Sequence, residues 1–384
     1  MPLPLTAAKD LLAKLVAFDT TSHKTNIPLI AFVQSYLDDH GTESQLVPTP
    51  DGLKASLFAS IGPKGAPGIG LSGHTDVVPV TGQDWTTDPF TLVERGGLLY
   101  GRGTADMKGF LACVLAMVPA FKSRPLRTPL HIIFSYDEEV GCIGVRPLVA
   151  ELGRSLTMPK AVIVGEPTSM QVVDAHKGPM RWQVEIHGRA SHSSLPHLGV
   201  NAIAAATRLM HEILQIEAEL KQDLNPRFEP PYSTMQITQI SGGTASNITP
   251  EPCSFGFETR RLPGFDIGPI DARIRGLAAA IEAEMRQAAP EASITFSTRE
   301  VPAFISSRDG LALALALKLS GQNETFAVSY ATEAGLFQDQ GAPSVVCGPG
   351  NIDQAHKPDE FIAVSELEKC LAFLDRLGAW AEAN

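Results

Sequence analysis

The chain has 384 residues, of which 44% are hydrophobic, and a formal net charge of −11 at pH 7. This length exceeds what one ordinary hydrophobic core accommodates, so we expect two domains. Because the charge is negative and no cluster of Lys or Arg stands out, the composition argues against nucleic acid or an anionic membrane as a partner.

The cysteines and the apolar segments indicate the compartment. The five cysteines are dispersed and form no C-x-x-C pair, which is typical of reduced, buried thiols in a cytoplasmic protein. Residues 1–10 contain no long apolar run behind a basic start, so no secretory signal is expected. The longest apolar segment, 110–121, is too short and too interrupted to span a bilayer.

Helical and strand patterns alternate over the first 178 residues, which predicts an α/β domain with a largely parallel sheet. A glycine-rich loop at 96–109 interrupts them. The expected elements are helices at 6–18 and 26–40, strands at 54–61 and 68–72, a helix at 107–121, a strand at 131–136, a helix at 142–153 and a strand at 161–164.

The pattern changes near residue 180. The strand at 181–187 places Trp182, Val184 and Ile186 on one face, as in a sheet with one solvated side. The elements that follow are a helix at 199–217, strands at 234–240 and 253–259, a helix at 267–287 and a strand containing Ile294 and Phe296. This βαββαβ order is the ferredoxin-like plan, so we expect an inserted domain at 179–298.

The α/β pattern resumes after residue 298, so the catalytic domain is expected to comprise 1–178 and 299–384. We expect a helix at 309–320, strands near 326–329 and 344–347, and a closing helix. A capping box of Ser365 and Glu368 is expected to begin that last helix.

Three acids, Asp137, Glu138 and Glu139, follow directly after the predicted strand at 131–136. Carboxylates at the end of a buried strand are unfavourable unless a positive charge compensates them. The next cationic residue along the chain is Arg146, so a metal ion is a candidate for that charge. Adjacent side chains point in different directions, so one glutamate can bind a metal while the other serves as a base.

Five further polar residues are candidates for the same site. His74 follows a strand with Asp76 two residues later, and Asp106 lies in the glycine-rich loop. Glu166 follows the strand at 161–164, and His356 lies in a glycine- and proline-rich loop. Singly, each is equally typical of a polar loop, a helix N-terminus or a turn.

Together, these residues point to one edge of the predicted sheet. His74, Glu138, Glu139 and Glu166 follow the carboxyl ends of strands, where open α/β sheets bind ligands, and His356 follows a loop after one. Histidine and carboxylate ligands suit Zn²⁺ or a similar divalent ion. Five such ligands exceed the need of one four-coordinate ion, which favours a two-metal site with a bridging carboxylate.

The sequence resembles the M20 family of dinuclear zinc hydrolases, and within it the acetylornithine deacetylases, over nearly its whole length. The family motifs are Ser72-Gly-His-Thr-Asp-Val-Val-Pro79, Tyr100-Gly-Arg-Gly-Thr-Ala-Asp-Met-Lys-Gly109, Asp137-Glu-Glu139, Gly165-Glu-Pro-Thr168 and Gly348-Pro-Gly-Asn-Ile-Asp-Gln-Ala-His-Lys-Pro-Asp-Glu360. The deacetylase-like stretches are His176-Lys-Gly178, Gly199-Val-Asn-Ala-Ile203 and Thr332-Glu-Ala334.

The resemblance implies a role for each of these positions. One metal is held by His74 and Glu166, and the other by Glu139 and His356. The implied bridge between them is Asp106. The resemblance also implies that Asp76 orients His74, and that Glu138 is the general base and acid. Two divalent ions are expected, Zn²⁺ or alternatively Co²⁺.

The resemblance also implies an inserted lid domain through which the chain forms a homodimer. His192 matches the lid position that reaches the partner's site and supplies an oxyanion donor. Arg260 and Asn247 match lid positions that meet the carboxylate of an N-acyl amino acid. Glu333 is expected either to receive a substrate ammonium or to form a structural ion pair.

The activity that the resemblance implies is removal of the acetyl group from N2-acetyl-L-ornithine in arginine biosynthesis. Within the family, succinyl-diaminopimelate desuccinylase or a broader N-acyl amino-acid deacylase remains an alternative. A metal-dependent scaffold without activity is another, against which the intact Glu138 argues. A serine hydrolase elbow would require glycine where His74 stands.

Overall fold

The computed structural model describes residues 3–384, which divide into two compact units. Unit 1 contains residues 3–175, Phe304–Phe326 and Thr332–Asn384, and unit 2 contains His176–Ala303 and Ala327–Ala331. From the sequence we expected domain boundaries at 178/179 and 298/299. The short second segment of unit 2 was not expected. The catalytic and lid roles of these parts stay a prediction.

The helices and strands largely follow the expected periodicity. The helices are α1 (Leu5–Val16), α2 (Ile27–Asp39), α3 (Gly109–Ser123), α4 (Val145–Glu151), α5 (Ala202–Leu220), α6 (Gly268–Ala288), α7 (Leu311–Ser320), α8 (Ala334–Asp339) and α9 (Val364–Ala383). The strands are β1 (Ser44–Pro48), β2 (Ala55–Ile61), β3 (Ile69–His74), β4 (Val93–Arg95), β5 (Leu98–Tyr100), β6 (Leu130–Ser135), β7 (Ala161–Pro167), β8 (Val173–His176), β9 (Gly178–His187), β10 (Thr234–Gly242), β11 (Pro252–Arg261), β12 (Ser293–Glu300), β13 (Phe304–Ile305), β14 (Phe326–Val328), β15 (Ser344–Gly348) and β16 (Phe361–Ala363).

The main sheet of unit 1 runs in the order β1-β2-β6-β3-β7-β15-β8-β13. Its centre is parallel, because β6 and β7 both run parallel to β3, and β15 runs parallel to β7. The outer strands β1 and β2 are antiparallel to their neighbours, so the mixed α/β class expected from the sequence is confirmed. The carboxyl ends of β3, β6, β7 and β15 therefore lie along one edge.

Helix α3 is the central helix of unit 1 and is buried on nearly all sides, as its continuous run of apolar residues requires. A π-helical turn, Thr104–Lys108, precedes it, and the combined helix has the length and composition to cross a membrane. Because 89% of its apolar window is buried inside the protein, it is a core helix. Residues 110–121, which the sequence indicated were too short and too interrupted to span a bilayer, lie within this buried helix.

Two other local expectations differ from the structure. Helix α9 begins at Val364, so Ser365 lies inside the helix and the predicted capping box was wrong. The reason is that strand β16 runs directly into the helix, leaving Ala363 as the N-cap. The glycine-rich loop also contains strand β5, which joins β4 and β16 in a small sheet. All five cysteines are free and buried, as expected.

Unit 2 has the βαββαβ order expected from the sequence, with an antiparallel sheet in the order β10-β11-β9-β12. Trp182, Val184 and Ile186 of β9 are buried as predicted, while Arg181 and Glu185, at the alternate positions, are exposed. The Trp182 ring stacks on Phe257 of β11 at 4.6 Å within this core. The pattern of period two thus determines which face of the sheet is buried.

Candidate metal centre

The predicted ligands of unit 1 come together at the carboxyl edge of the main sheet. His74 is the last residue of β3, and Glu166 lies near the end of β7. Glu138 and Glu139 follow the end of β6, and His356 lies in the loop after β15. This is the edge at which open α/β sheets place their ligand sites.

Asp106 lies between the two histidines. Its Oδ1 atom is 3.0 Å from His74 Nε2, and its Oδ2 atom is 3.3 Å from His356 Nε2. On one side, His74 Nε2 is 3.9 Å from Glu166 Oε1, and on the other, His356 Nε2 is 3.0 Å from Glu139 Oε2. The two oxygens of Asp106 therefore face two different sets of donors, which is the arrangement that a bridging carboxylate requires.

Two groups of donors have all their ligand atoms within 4.8 Å of one another: His74 with Asp106 and Glu139, and His74 with Glu138 and Glu166. Glu138 thus lies at ligand distance, so geometry alone does not separate a base from a ligand here. Its Oε1 atom also lies 3.3 Å from Cys142 Sγ.

Asp76 contacts His74 and also holds the turn that carries the acids. The ring Nδ1 of His74 is 2.9 Å from the main-chain carbonyl of Asp76, whereas the Asp76 carboxylate is 3.5 Å away. Donation to that carbonyl leaves the lone pair of Nε2 facing Asp106 and Glu166. The carboxylate accepts the Ser22 hydroxyl at 2.7 Å and the backbone N–H of Glu138 at 3.1 Å. It therefore holds the turn that carries the acids.

The three glutamates of the cluster resist ionisation in the absence of a cation. Burial, with repulsion from neighbouring carboxylates, raises the pKa of Glu138 and of Glu166 well above the ordinary value. Burial and the charge of Asp106 raise the pKa of Glu139 to about 7. A bound cation would reverse this effect by stabilising the ionised forms.

The two histidines respond in the opposite sense. Burial alone would lower the pKa of His74, but hydrogen bonds to Asp106 and Asp76 raise it well above its ordinary value. Hydrogen bonds to Asp106 and Glu139 raise the pKa of His356 to about 10. A donor set of imidazoles and clustered carboxylates fits a pair of divalent cations.

One cationic residue that compensates the acidic triplet could not be identified from the sequence. Lys54, directly before β2, forms a partly buried ion pair and hydrogen bond with Asp137. The two residues lie 83 positions apart, so no local pattern signals the contact. Lys54 therefore compensates the first acid of the triplet, and the requirement for a cation falls on Glu138 and Glu139.

The predicted lid residues lie in unit 2. The ring Nδ1 of His192 accepts the backbone N–H of Ser194 at 3.2 Å and is 2.7 Å from its hydroxyl, which leaves Nε2 as the protonated donor. Asn247 is exposed, and its carbonyl accepts the backbone N–H of Ser193. The Arg260 side chain is 32% exposed, and its guanidinium contacts Glu258 and the Ser329 carbonyl.

Glu333 belongs to unit 1 and is 1% exposed. Its carboxylate accepts hydrogen bonds from the hydroxyls of Ser72 at 3.2 Å and of Ser135. Burial raises the pKa of Glu333 to about 7. Neither serine was singled out from the sequence, because a serine within a strand has no distinguishing pattern.

Comparison with known proteins places this site in a family. The sequence profile of peptidase family M20/M25/M40 matches residues 70–379. The acetylornithine deacetylase of Proteus mirabilis (strain HI4320) is 36% identical over 367 residues, covering 94% of this chain and 92% of the relative. The acetylornithine deacetylase of Myxococcus xanthus is 35% identical over 379 residues, covering 97% of each chain.

Solved structures share the fold at low identity. An M20 family metallo-carboxypeptidase from Sulfolobus solfataricus has a TM-score of 0.78 at 15% identity, covering 97% of this chain and 98% of that one. A dinuclear metal-binding M20 peptidase from Bacillus subtilis has a TM-score of 0.69 at 16% identity, covering 98% of each.

The fold and the ligand cluster define a metal-dependent amide hydrolase. The chain belongs to peptidase family M20/M25/M40.

Proposed function

We propose that the chain hydrolyses N2-acetyl-L-ornithine to ornithine and acetate, a reaction of arginine biosynthesis. The observation that carries this proposal is the set of relatives named acetylornithine deacetylase, which are 33–37% identical over 90–97% of the chain. The five free, buried cysteines support a reducing compartment, and we propose the cytoplasm.

In this proposal, His74 and Glu166 hold one ion, Glu139 and His356 hold the other, and Asp106 is shared. The distances of 3.0 and 3.3 Å from the two Asp106 oxygens to the two imidazoles support the shared role. Zn²⁺ suits the imidazole and carboxylate donors, and Co²⁺ is compatible with them. When bound, such ions polarise a carbonyl oxygen and lower the pKa of a water molecule.

Glu138 is the proposed general base and acid. Its half-buried side chain lies at the cluster, where burial and the neighbouring carboxylates raise its pKa well above the ordinary value. It would take the proton from the attacking water and return that proton to the departing amine. The neighbouring Glu139 contacts His356, which supports the division of labour between adjacent glutamates.

His192 is the proposed oxyanion donor, and its Nε2–H is left free to donate because Nδ1 accepts from Ser194. From the resemblance, we propose that it acts in the site of a second copy in a homodimer formed through residues 179–298. Arg260 and Asn247 are proposed to bind the substrate carboxylate, for which a partly exposed guanidinium is suited. Glu333 is proposed to attract the substrate ammonium.

The test is release of free amine from N2-acetyl-L-ornithine, measured before and after removal of metal with a chelator. We expect activity that is lost on chelation and restored by Zn²⁺ or Co²⁺. N-succinyl-diaminopimelate and neutral N-acetyl amino acids, assayed in parallel, should be poorer substrates. Equal or higher turnover of either competitor would refute the assignment of acetylornithine.

Replacement of Glu138 by Gln tests the base. We expect metal content close to that of the wild type and a fall in kcat of roughly 10²–10⁴-fold, the usual contribution of a positioned acid–base group. Asp375→Asn, in α9 and paired with Arg124, is the control and should leave kcat unchanged. Unchanged turnover in Glu138→Gln would exclude it as the base.

A further inference from the structure

Glu360 binds the backbone of the segment that carries Asp106. The side chain is 1% exposed, and its carboxylate accepts three backbone N–H groups. Oε2 accepts from Gly103 at 2.8 Å, and Oε1 accepts from Ala105 at 2.9 Å and from Asp106 itself at 3.1 Å. Three charge-assisted hydrogen bonds on consecutive parts of one turn determine where the Asp106 backbone lies.

Arg102 completes the arrangement and links it to the loop of His356. The guanidinium is 1% exposed, and its Nη1 donates to Glu360 Oε2 at 2.8 Å and to the Lys357 carbonyl at 3.2 Å. It also donates to Gln83, whose amide in turn donates to the His356 carbonyl at 2.8 Å. One buried ion pair therefore connects the 101–106 turn with the 356–360 loop.

This connection is relevant because both segments have irregular backbones. His356 has a φ of +64°, and Asp106 has a non-helical φ of −120° within the π-helical turn, so neither ligand lies in a regular helix or strand. By contrast, His74 and Glu166 lie on β3 and β7, which are hydrogen-bonded neighbours in the sheet. Metal–ligand bonds of about 2.0–2.2 Å tolerate little displacement of their donors.

We propose that Glu360 and Arg102 are positioning residues that set the separation of Asp106 Oδ2 and His356 Nε2, and thereby control binding of the ion on the His356 side. This inference rests on the proposed two-ion function. The ion on the His74 and Glu166 side also shares Asp106, but its other two ligands lie on β3 and β7 and do not depend on the pair. Loss of the pair therefore weakens one position selectively.

The experiment is a calorimetric and absorption titration of metal-free protein with Co²⁺, in the wild type and in Glu360→Gln. Gln keeps the size of the side chain but loses the charge and one acceptor oxygen. We expect two ions in the wild type. In Glu360→Gln, the first should bind within about threefold of the wild type and the second roughly 10–100-fold more weakly, the usual effect of losing a group that orients ligands.

Asp375→Asn is the matched control, because it breaks another arginine–carboxylate pair of unit 1, with Arg124. Both ions should bind to it as they do to the wild type. Circular dichroism verifies the fold of each variant. If Glu360→Gln does not fold, Arg102→Lys retains the charge and loses the planar fork, and the same selective weakening of the second ion is expected.

The outcomes separate the two proposals. A wild type that takes up fewer than two ions overturns the proposed two-ion centre and this inference with it. A wild type that binds two ions, with folded variants that keep the second affinity or lose both affinities equally, overturns the inference alone. Selective loss of the second ion, with a normal first ion, supports it.

Discussion

Replacing Glu333 by Gln measures how strongly the fold opposes an ionised carboxylate beneath the metal centre. Glu333 is 1% exposed, and burial raises its pKa from the usual 4.5 to about 7. Its carboxylate oxygens accept hydrogen bonds from the hydroxyls of Ser72 and Ser135. A hydroxyl can accept as well as donate, so a Gln amide can be satisfied at the same place.

The magnitude follows from linkage between protonation and folding. Between pH 4.5 and 7, the folded protein keeps a proton on Glu333 that the unfolded chain has released, so stability falls as pH rises through this window. The shift in the pKa of Glu333 from 4.5 to about 7 corresponds to about 3 kcal/mol in the free energy of unfolding. Because Gln does not ionise, the stability of the variant should not fall over this pH window.

The assay is urea unfolding of metal-free protein at pH 5 and pH 8. At pH 8, Glu333→Gln should be more stable than the wild type by up to about 3 kcal/mol, and at pH 5 by under about 1 kcal/mol. Glu368→Gln makes the same chemical change at an exposed position of α9 and should change stability by no more than about 0.5 kcal/mol at either pH. An equal effect of Glu333→Gln at both pH values refutes the reasoning.

The same variant tests the proposed role of Glu333 in substrate selection. If the carboxylate attracts the ammonium of ornithine, Glu333→Gln should lose the preference for acetylornithine over neutral N-acetyl amino acids. The ratio of the two kcat/KM values measures this directly. An intact preference, together with the expected gain in stability, would leave Glu333 with a structural role only.

Two further predictions concern Asp76 and His131. Asp76→Asn weakens the acceptors for the Ser22 hydroxyl and the 138–139 turn, so zinc affinity in a chelator competition should fall roughly 10–100-fold; unchanged affinity contradicts this. Burial lowers the pKa of His131 from 6.5 to about 4, so stability should fall by about 3 kcal/mol as pH drops through that window. His131→Leu should remove that part of the pH dependence in urea unfolding, and an unaltered acid profile would show that another group causes it.

The convergence of the candidate ligands could be predicted because their placement follows from local patterns. A strand is recognisable from its apolar run, and parallel strands bring their carboxyl ends to one edge of the sheet. His74 and Glu166 were therefore expected to be neighbours although 92 positions separate them, and their ligand atoms lie 3.9 Å apart. The inference needed only the direction of each strand and its last residue.

Contacts between single residues of distant loops had no comparable signal. The pair of Lys54 with Asp137 and the bonds of Glu360 to the Asp106 turn depend on the tertiary path of the chain. The capping box at Ser365 failed for the same reason, because a preceding strand, β16, displaced the start of the helix. Tertiary context overrides a local preference worth about 1 kcal/mol.

The candidate metal centre itself has one half on strands and one half on loops. On one side, His74 and Glu166 are 1% and 4% exposed and lie on adjacent strands, so that half is organised before any ion arrives. On the other, the side chain of His356 is 53% exposed and lies in a loop that side chains from elsewhere hold in place. An ion on this second side must supply part of the ordering free energy from its own binding. The second half is therefore where substitutions remote from the ligands have most influence on metal binding.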